Sequence, residues 1–225
     1  MVVITYLREV AGLEDPDLLQ LWKDSWSQAG WEPVVVGPAE ADRSPLITEV
    51  RRHRNFFVGS SGNPADYQVA CIERWCAASV FEPTTDPIFM ADWDMINYGL
   101  GPAEVAATYA DGSRRPVFYS PGSHREVCPA SVFMTPLQYR SFARWFIARA
   151  EAGEGWDANH DEALLMGPVP WPLPVNRVHE APHLNGEIER WRAVGRRPRL
   201  VHFSNGSTKV RPRSALVRRG HPIDA

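Results

Sequence analysis

The chain has 225 residues, enough for one domain with a sizeable core, and it carries a net charge of −3 with 44% hydrophobic residues. This balance is typical of a compact soluble protein and lacks the overall basic excess of most nucleic-acid-binding domains. No apolar segment reaches membrane-spanning length and no signal-peptide pattern opens the sequence, so we expect a cytoplasmic protein without a transmembrane segment. Cys71, Cys76 and Cys128 form neither an even disulfide set nor a zinc-ligand spacing.

The N-terminal segment predicts a strand, a helix and a second strand. Residues 2–6 and 33–37 are apolar runs, and Asp15-Pro16 between them is a helix-start signal. Such a unit has parallel strands and binds ligands at their carboxyl ends. Four residues at the end of the first strand are therefore expected to line that site: Thr5, Tyr6, Leu7 and Arg8. Tyr6 or Arg8 can contact a nucleotide base or phosphate, and an ordinary strand end is the alternative for each residue.

The helix predicted to begin at Asn63-Pro64 carries an arginine near its end. This helix leads through Pro87 into an apolar strand, so its C-terminal half is expected to pack near the tip of that strand. Arg74 is a candidate either for neutralising a phosphate or for holding acidic side chains, and an ordinary surface position is the alternative.

The apolar strand ends in two aspartates separated by one residue. Residues 88–91 are apolar and follow a proline, which is typical of a strand buried on both faces, and Asp92-Trp93-Asp94 comes directly after them. Open α/β sheets bind ligands at the carboxyl ends of such strands. On an extended chain both aspartates point to the same side, so Asp92 and Asp94 predict a site for one hard divalent cation.

Residues 105–119 predict a β-hairpin, because two apolar runs flank the turn signal Asp111-Gly112. Residues 131–134 predict a further strand, followed by a helix that begins at Thr135-Pro136. A hairpin after the aspartate strand departs from simple alternation of strands and helices.

Two acids mark a later segment. Asp161 and Glu162 stand at the start of a short apolar helix, where free amides and the helix dipole favour negative charge. Capping by Asp161 accounts for one carboxylate, which leaves Glu162 as a candidate for chemistry.

Residues 200–209 predict a strand that enters a glycine-containing polar loop. Here His202 can complete a metal shell, and Lys209 can neutralise a leaving diphosphate. The segment lies in a basic region, residues 187–219, with ten Lys and Arg against two Glu, a net charge of +8. This basic region leaves nucleic-acid binding open.

Together these stretches resemble the metal-dependent glycosyltransferases of the GT-A fold. Asp92-Trp93-Asp94 looks like their DxD motif, and His160-Asp161-Glu162 is similar to the HDE segment of the blood-group-type retaining transferases. The segment from His202 to Lys209 resembles the HFxGxxK motif of the glycogenin-like and bacterial galactosyltransferase families, with one additional residue. Arg74 resembles the basic residue that these families often carry on the helix before DxD.

The resemblance implies an α/β fold in which a central, mixed and mostly parallel sheet is flanked by helices and carries an inserted β-hairpin. We expect one GT-A-like domain over residues 1–210, followed by a basic C-terminal tail, residues 211–225. Within the domain, residues 1–96 are expected to form the nucleotide-binding half and residues 97–210 the acceptor and catalytic half.

The function implied by the resemblance is sugar transfer from a nucleotide-diphosphate sugar, by default a UDP-sugar, to a hydroxyl of a glycan or other acceptor, with a nucleic-acid acceptor also open. The implied cofactor is Mn²⁺ or Mg²⁺, held by Asp92, Asp94 and His202. The expected donor contacts are Thr5, Tyr6, Arg8, Arg74, Asp92, Trp93 and Lys209.

Glu162 or Asp161 is the expected catalytic carboxylate. With Glu162 as nucleophile or electrostatic support the product retains its anomeric configuration, whereas deprotonation of the acceptor by either acid inverts it. The resemblance favours retention. The acceptor is expected to contact the hairpin, residues 131–134 and the proline-rich segment 167–174.

Other functions stay open at this point. A sugar-phosphate nucleotidylyltransferase needs a glycine-rich basic loop directly after the first strand, and residues 7–12 match that poorly. A non-catalytic nucleotide- or nucleic-acid-binding protein is favoured only by the basic region.

Overall fold

The computed structural model describes residues 1–8, 15–58, 64–81, 86–120, 128–154, 161–180, 191–203, 215, 217–218 and 220. The strands in these parts of the chain are β1 (Val2–Tyr6), β2 (Glu32–Val36), β3 (Ile88–Ala91), β4 (Met95–Asn97), β5 (Val117–Ser120), β6 (Ser131–Met134), β7 (Asn176–His179) and β8 (Leu200–His202). The helices are α1 (Pro16–Gln28), α2 (Pro38–Ala41), α3 (Pro45–Arg52), α4 (Arg54–Phe57), α5 (Ala65–Ser79), α6 (Pro102–Asp111), α7 (Pro136–Ala152) and α8 (Asp161–Met166).

Six strands form one mixed sheet in the order β2-β1-β3-β6-β5-β7. Strand β1 pairs in parallel with β2 and β3, and β5 pairs in parallel with β7. Strand β6 runs antiparallel to both β3 and β5. The predicted α/β class, with a mixed and mostly parallel sheet flanked by helices, is confirmed.

Each face of the sheet packs on its own hydrophobic layer. Successive side chains of a strand point to opposite faces, so Met90 joins the layer that contains Trp75, whereas Phe89 joins the layer that contains Trp26. All four residues of β3 are buried. The apolar run therefore reflects a strand covered on both faces, as the sequence predicted.

Helix starts follow the local sequence signals. Asp15 Oδ1 accepts a hydrogen bond from the Leu18 amide at 3.1 Å at the start of α1. At the start of α7, Thr135 Oγ1 accepts from the Gln138 amide at 3.3 Å, and Gln138 Oε1 accepts from the Thr135 amide at 2.9 Å, which is a capping box. Among the described residues, no helix combines the length and the apolar character needed to cross a membrane.

The predicted β-hairpin over residues 105–119 is wrong, because its first half is the helix α6. The helix begins at Pro102, whose fixed φ and missing amide hydrogen suit a first turn. It buries Val105 and Tyr109, which lie one turn apart. Asp111 is its last residue, so the turn signal there marks a helix end and not a hairpin.

Described residues beyond position 210 contact the domain. Val217 packs against the layer around Trp26, and Gly220 O accepts a hydrogen bond from Tyr98 Oη at 3.4 Å. Arg218 Nη2 lies 2.7 Å from Asp17 Oδ2. The boundary at residue 210 stays a prediction.

Candidate metal centre

A two-stranded sheet brings His202 to the tip of β3. After β3 the chain turns, with the Met95 amide donating to Asp92 O at 2.8 Å, and β4 then pairs antiparallel with β8. The register sets Met95 opposite His202, and the Phe203 amide donates to Asp94 O at 2.9 Å. Segments far apart in sequence thus present polar side chains to one place.

Asp92, Asp94 and His202 form a compact group. His202 Nε2 lies 3.1 Å from Asp94 Oδ1 and 3.8 Å from Asp92 Oδ2. Asp94 and His202 are both 6% exposed. The two aspartates stand on a turn and not on the extended chain that the sequence predicted, since β4 leaves the main sheet to pair with β8. Both carboxylates nevertheless face the same imidazole.

Burial and neighbouring charges shift the protonation of this group. Burial disfavours an imidazolium, but the Asp94 carboxylate favours it, and the pKa of His202 lies well above its ordinary value. Burial also raises the pKa of Asp92, with Arg74 opposing this shift and Asp94 adding to it. A proton on His202 is therefore held against two acidic side chains, in the place where a cation would bind.

Arg74 lies between Asp92 and Asp161. Its Nη1 donates to Asp92 Oδ1, and its Nε and Nη2 donate to Asp161 Oδ2 at 3.0 and 2.5 Å. The Arg74 side chain is buried, so the alternative of an ordinary surface arginine is wrong. Although burial opposes the charged form, the two carboxylates raise the pKa of Arg74 well above its ordinary value.

The two predicted catalytic acids lie in different environments. Asp161 is 1% exposed and accepts two further hydrogen bonds, from Trp75 Nε1 to Oδ2 at 3.0 Å and from the Glu162 amide to Oδ1 at 2.9 Å. With the two bonds from Arg74, four donors engage this carboxylate. Glu162, by contrast, is only partly buried.

The chemistry of the donor set fits a hard divalent cation. Mg²⁺ bonds of about 2.1 Å place neighbouring ligands roughly 3 Å apart and opposite ligands roughly 4.2 Å apart. The measured separations of 3.1 and 3.8 Å fall within that span. With neutral His202, the carboxylates of Asp92, Asp94 and Asp161 and the Arg74 guanidinium sum to −2, which one divalent cation cancels.

The residues predicted to contact the nucleotide at the end of β1 have different surroundings. Tyr6 Oη and Arg8 Nη1 both donate to Glu73 Oε2, at 2.7 and 2.9 Å. Glu73 is fully buried, and its other oxygen accepts from Arg51 Nε at 2.8 Å. Thr5 Oγ1 is buried and has no hydrogen-bond partner among the described residues.

The remaining predicted site residues are Trp93 and Lys209. Trp93, which lies between the two aspartates in the sequence, is partly buried and packs against the layer that contains Trp26. Lys209 lies outside the described residues, as does His160 of the HDE-like segment.

Two residues of α5, Tyr67 and Cys71, interact electrostatically with the candidate site and were not predicted from the sequence. Tyr67 and Cys71 precede Arg74 by seven and three residues, which places all three on one helical face. Cys71, burial and the charges of Asp92 and Asp94 raise the pKa of Tyr67 well above its ordinary value. The helical spacing ahead of Arg74 was the signal that could have identified them.

A third neighbour of the candidate cation site is Cys128. It is buried, and its Sγ lies 3.9 Å from His202 Nδ1. No sequence signal indicates this contact, because it depends on where β8 pairs.

A second group with metal-ligand chemistry lies between α3 and α7 and contains Glu49, His53 and Glu151. Arg52 Nη2 is already 2.5 Å from Glu49 Oε2 and 3.4 Å from Glu151 Oε1. Since this arginine already pairs with both carboxylates and cancels one of their two charges at a solvent-exposed position, the group at the tip of β3 is the better cation site.

Comparison with known proteins gives a fold relationship. No protein-family model matches the chain, and no curated protein matches it. Among solved structures, the chain is similar to a glycosyltransferase involved in the glycosylation of the major capsid of PBCV-1, with 11% identity and a TM-score of 0.55. The likeness covers 97% of this chain and 98% of that one, so the two share their fold over nearly their full lengths.

Proposed function

We propose that the chain is a metal-dependent glycosyltransferase that moves a sugar from a nucleotide-diphosphate sugar to a hydroxyl acceptor. One observation carries the proposal: Asp92, Asp94 and His202 converge at the carboxyl end of β3, in a fold shared with a solved glycosyltransferase. Open α/β sheets bind ligands at the carboxyl ends of their strands. A UDP-sugar is the donor that the DxD resemblance favours.

The three converging residues would hold Mn²⁺ or Mg²⁺. Bound there, the cation supplies positive charge to the diphosphate that leaves the sugar. His202 contributes Nε2 once it has lost its proton, and Asp94 contributes Oδ1, which faces that nitrogen. Arg74 orients Asp92 and leaves its Oδ2 directed towards His202. Lys209 is proposed to contact the departing phosphate.

Glu162 is the carboxylate that we assign to the sugar. An oxocarbenium-like sugar is stabilised by a nearby negative charge. The partial exposure of Glu162 favours it over Asp161, whose oxygens are engaged by four donors. As nucleophile or electrostatic support, Glu162 gives retention of the anomeric configuration; as a base towards the acceptor, it gives inversion.

The end of β1 is proposed to contact the nucleotide. The unpartnered hydroxyl of Thr5 is suited to a hydrogen bond with the donor. Tyr6 and Arg8 are tied to Glu73, so they would shape this end of the strand as well as contact the donor through their partly exposed surfaces.

The test is a panel of nucleotide sugars, with binding measured by calorimetry and slow hydrolysis measured by nucleotide release, each with and without Mn²⁺. Asp94→Asn should abolish release, whereas Asp17→Asn, which removes an exposed carboxylate paired with Arg218, should not. Release that needs Mn²⁺ and Asp94 identifies the donor. Absence of binding by every nucleotide sugar in the presence of Mn²⁺ would refute the proposal, and salt-sensitive binding of DNA or RNA would then favour the basic region as the functional element.

A further inference from the structure

We propose that Asp161 is a positioning residue of the cation site: through Arg74 it fixes the orientation of Asp92 and keeps the charge of the site available to the cation. The inference rests on the metal-dependent function proposed above. It assigns Asp161 a role different from the catalytic one that the sequence predicted.

The guanidinium of Arg74 couples the position of Asp92 to that of Asp161. Its N–H donors form a rigid planar fork, so fixing one edge fixes the other. The edge formed by Nε and Nη2 binds Asp161, and the opposite nitrogen, Nη1, binds Asp92 Oδ1. The position of Asp161 therefore sets the position of the Asp92 carboxylate and leaves Oδ2 on the side of His202.

Asp161 is in turn anchored to the hydrophobic core. Trp75 Nε1 donates to Asp161 Oδ2 at 3.0 Å, and the Trp75 ring is fully buried. That ring packs against Phe142 and Phe146, with centroid distances of 5.2 and 5.4 Å. A close-packed aromatic cluster has little freedom to shift, so the chain of contacts from Trp75 to Asp92 starts from a rigid point.

Asp161 also balances the positive charge of Arg74. Arg74 beside Asp92 alone would cancel one of the two negative charges that attract a cation. Asp161 on the other side of the guanidinium neutralises Arg74, and the pair is buried together. Asp92 and Asp94 thus keep their combined charge for the cation, although an arginine touches one of them.

The experiment measures the Kd of Mn²⁺ alone, by the electron-spin-resonance signal of free Mn²⁺ and by calorimetry. The variants are Asp161→Asn, Arg74→Lys, Arg74→Gln and the double variant Asp161→Asn with Arg74→Gln. Asp66→Asn is the matched control, since that carboxylate also pairs with arginines but lies at the surface. Near-ultraviolet circular dichroism reports whether each variant keeps its tertiary packing.

Asp161→Asn should weaken Mn²⁺ binding by about 10- to 100-fold, as outer-shell substitutions at metal sites do. Arg74→Lys keeps the charge but lacks the fork, so it should weaken binding as well. In Asp161→Asn the positive charge of Arg74 has lost its buried partner. The double variant removes this charge and should therefore bind Mn²⁺ more tightly than Asp161→Asn. If Asp161→Asn does not fold, Arg74→Lys and the double variant provide the comparison.

Wild-type affinity in folded Asp161→Asn or in Arg74→Lys would overturn the positioning role. A folded double variant that binds no more tightly than folded Asp161→Asn would overturn the charge-balancing role. The proposed function fails separately. If the wild type binds Mn²⁺ tightly, Asp161→Asn weakens that binding, and no nucleotide sugar binds the wild type in the presence of Mn²⁺, the positioning role is supported and the glycosyltransferase is refuted. A wild-type chain that binds no Mn²⁺ refutes both.

Discussion

His202 Nε2 and Asp94 Oδ1 face each other at 3.1 Å, although the two residues lie far apart in the sequence. Their approach follows from the pairing of β4 with β8, which sets Met95 opposite His202. The cation site therefore depends on a two-stranded sheet outside the main one. Any change in that register would separate the imidazole from the aspartates.

The pH dependence of cation binding should follow His202. Its pKa is raised by Asp94 against the effect of burial, so below that raised pKa the ring holds a proton that a metal must displace. Mn²⁺ affinity should be weakest at low pH, rise as the pH passes through the raised pKa of His202 and level off above it. Calorimetry from about pH 6 to about pH 9, in buffers of different ionisation enthalpy, measures both the affinity and the released proton. Affinity independent of pH would contradict this role.

Thermal stability should increase when the cation binds. A ligand that binds only the folded state stabilises it by about 2.7 kcal/mol at a free concentration of 100 Kd. Mn²⁺ should therefore raise the Tm of the wild type, and removal of the metal with a chelator should reverse the increase. Asp94→Asn should abolish the shift. An equal shift in both proteins would place the bound cation elsewhere, and the group formed by Glu49, His53 and Glu151 would be the next site to test.

The sequence predicted five of the six strands of the main sheet and the acidic strand tip because these depend on local signals, whereas β7 was not predicted. The apolar run of β3 indicates a strand that is buried on both faces, and Asp92 follows it directly. The prediction of a strand at residues 105–110 was wrong because Val105 and Tyr109 fit a strand pattern as well as a helical one, although Pro102 is a helix-start signal.

The contacts inside the site depend on long-range packing and were harder to predict. The contact between Arg74 and Asp161 depends on α8, which brings Asp161 to the other side of the guanidinium. Cys128 reaches His202 only because β4 and β8 pair. Neither contact leaves a periodic pattern in the sequence.

Glu73 should contribute to stability although it lies outside the proposed cation site. It is fully buried and binds Tyr6, Arg8 and Arg51, so Glu73→Ala leaves a partly buried hydroxyl and two arginines without this partner. Since Arg8 and Arg51 are 30% and 41% exposed, water compensates part of the loss, and we expect destabilisation of about 1 to 3 kcal/mol. Urea unfolding measures the difference. Asp66→Asn, at an exposed pair, should cost about 0 to 1 kcal/mol, and an equal loss in both variants would contradict a special role for burial.

Glu162→Gln should separate catalysis from cation binding. The substitution preserves shape and removes the negative charge next to the anchored Asp161, so turnover of the donor should fall by about 100- to 1,000-fold, as for the loss of one preorganised group that stabilises a transition state. Mn²⁺ affinity should stay close to that of the wild type, because Glu162 is not one of the three converging ligands. Nucleotide release measures the turnover, and calorimetry measures the Mn²⁺ affinity.

Proton NMR of the wild-type product at early times then reports its anomeric configuration, and retention favours Glu162 as nucleophile or electrostatic support. Full turnover in Glu162→Gln would remove this residue from the chemistry. Equal losses of turnover and Mn²⁺ affinity would indicate that Glu162 acts through the cation site.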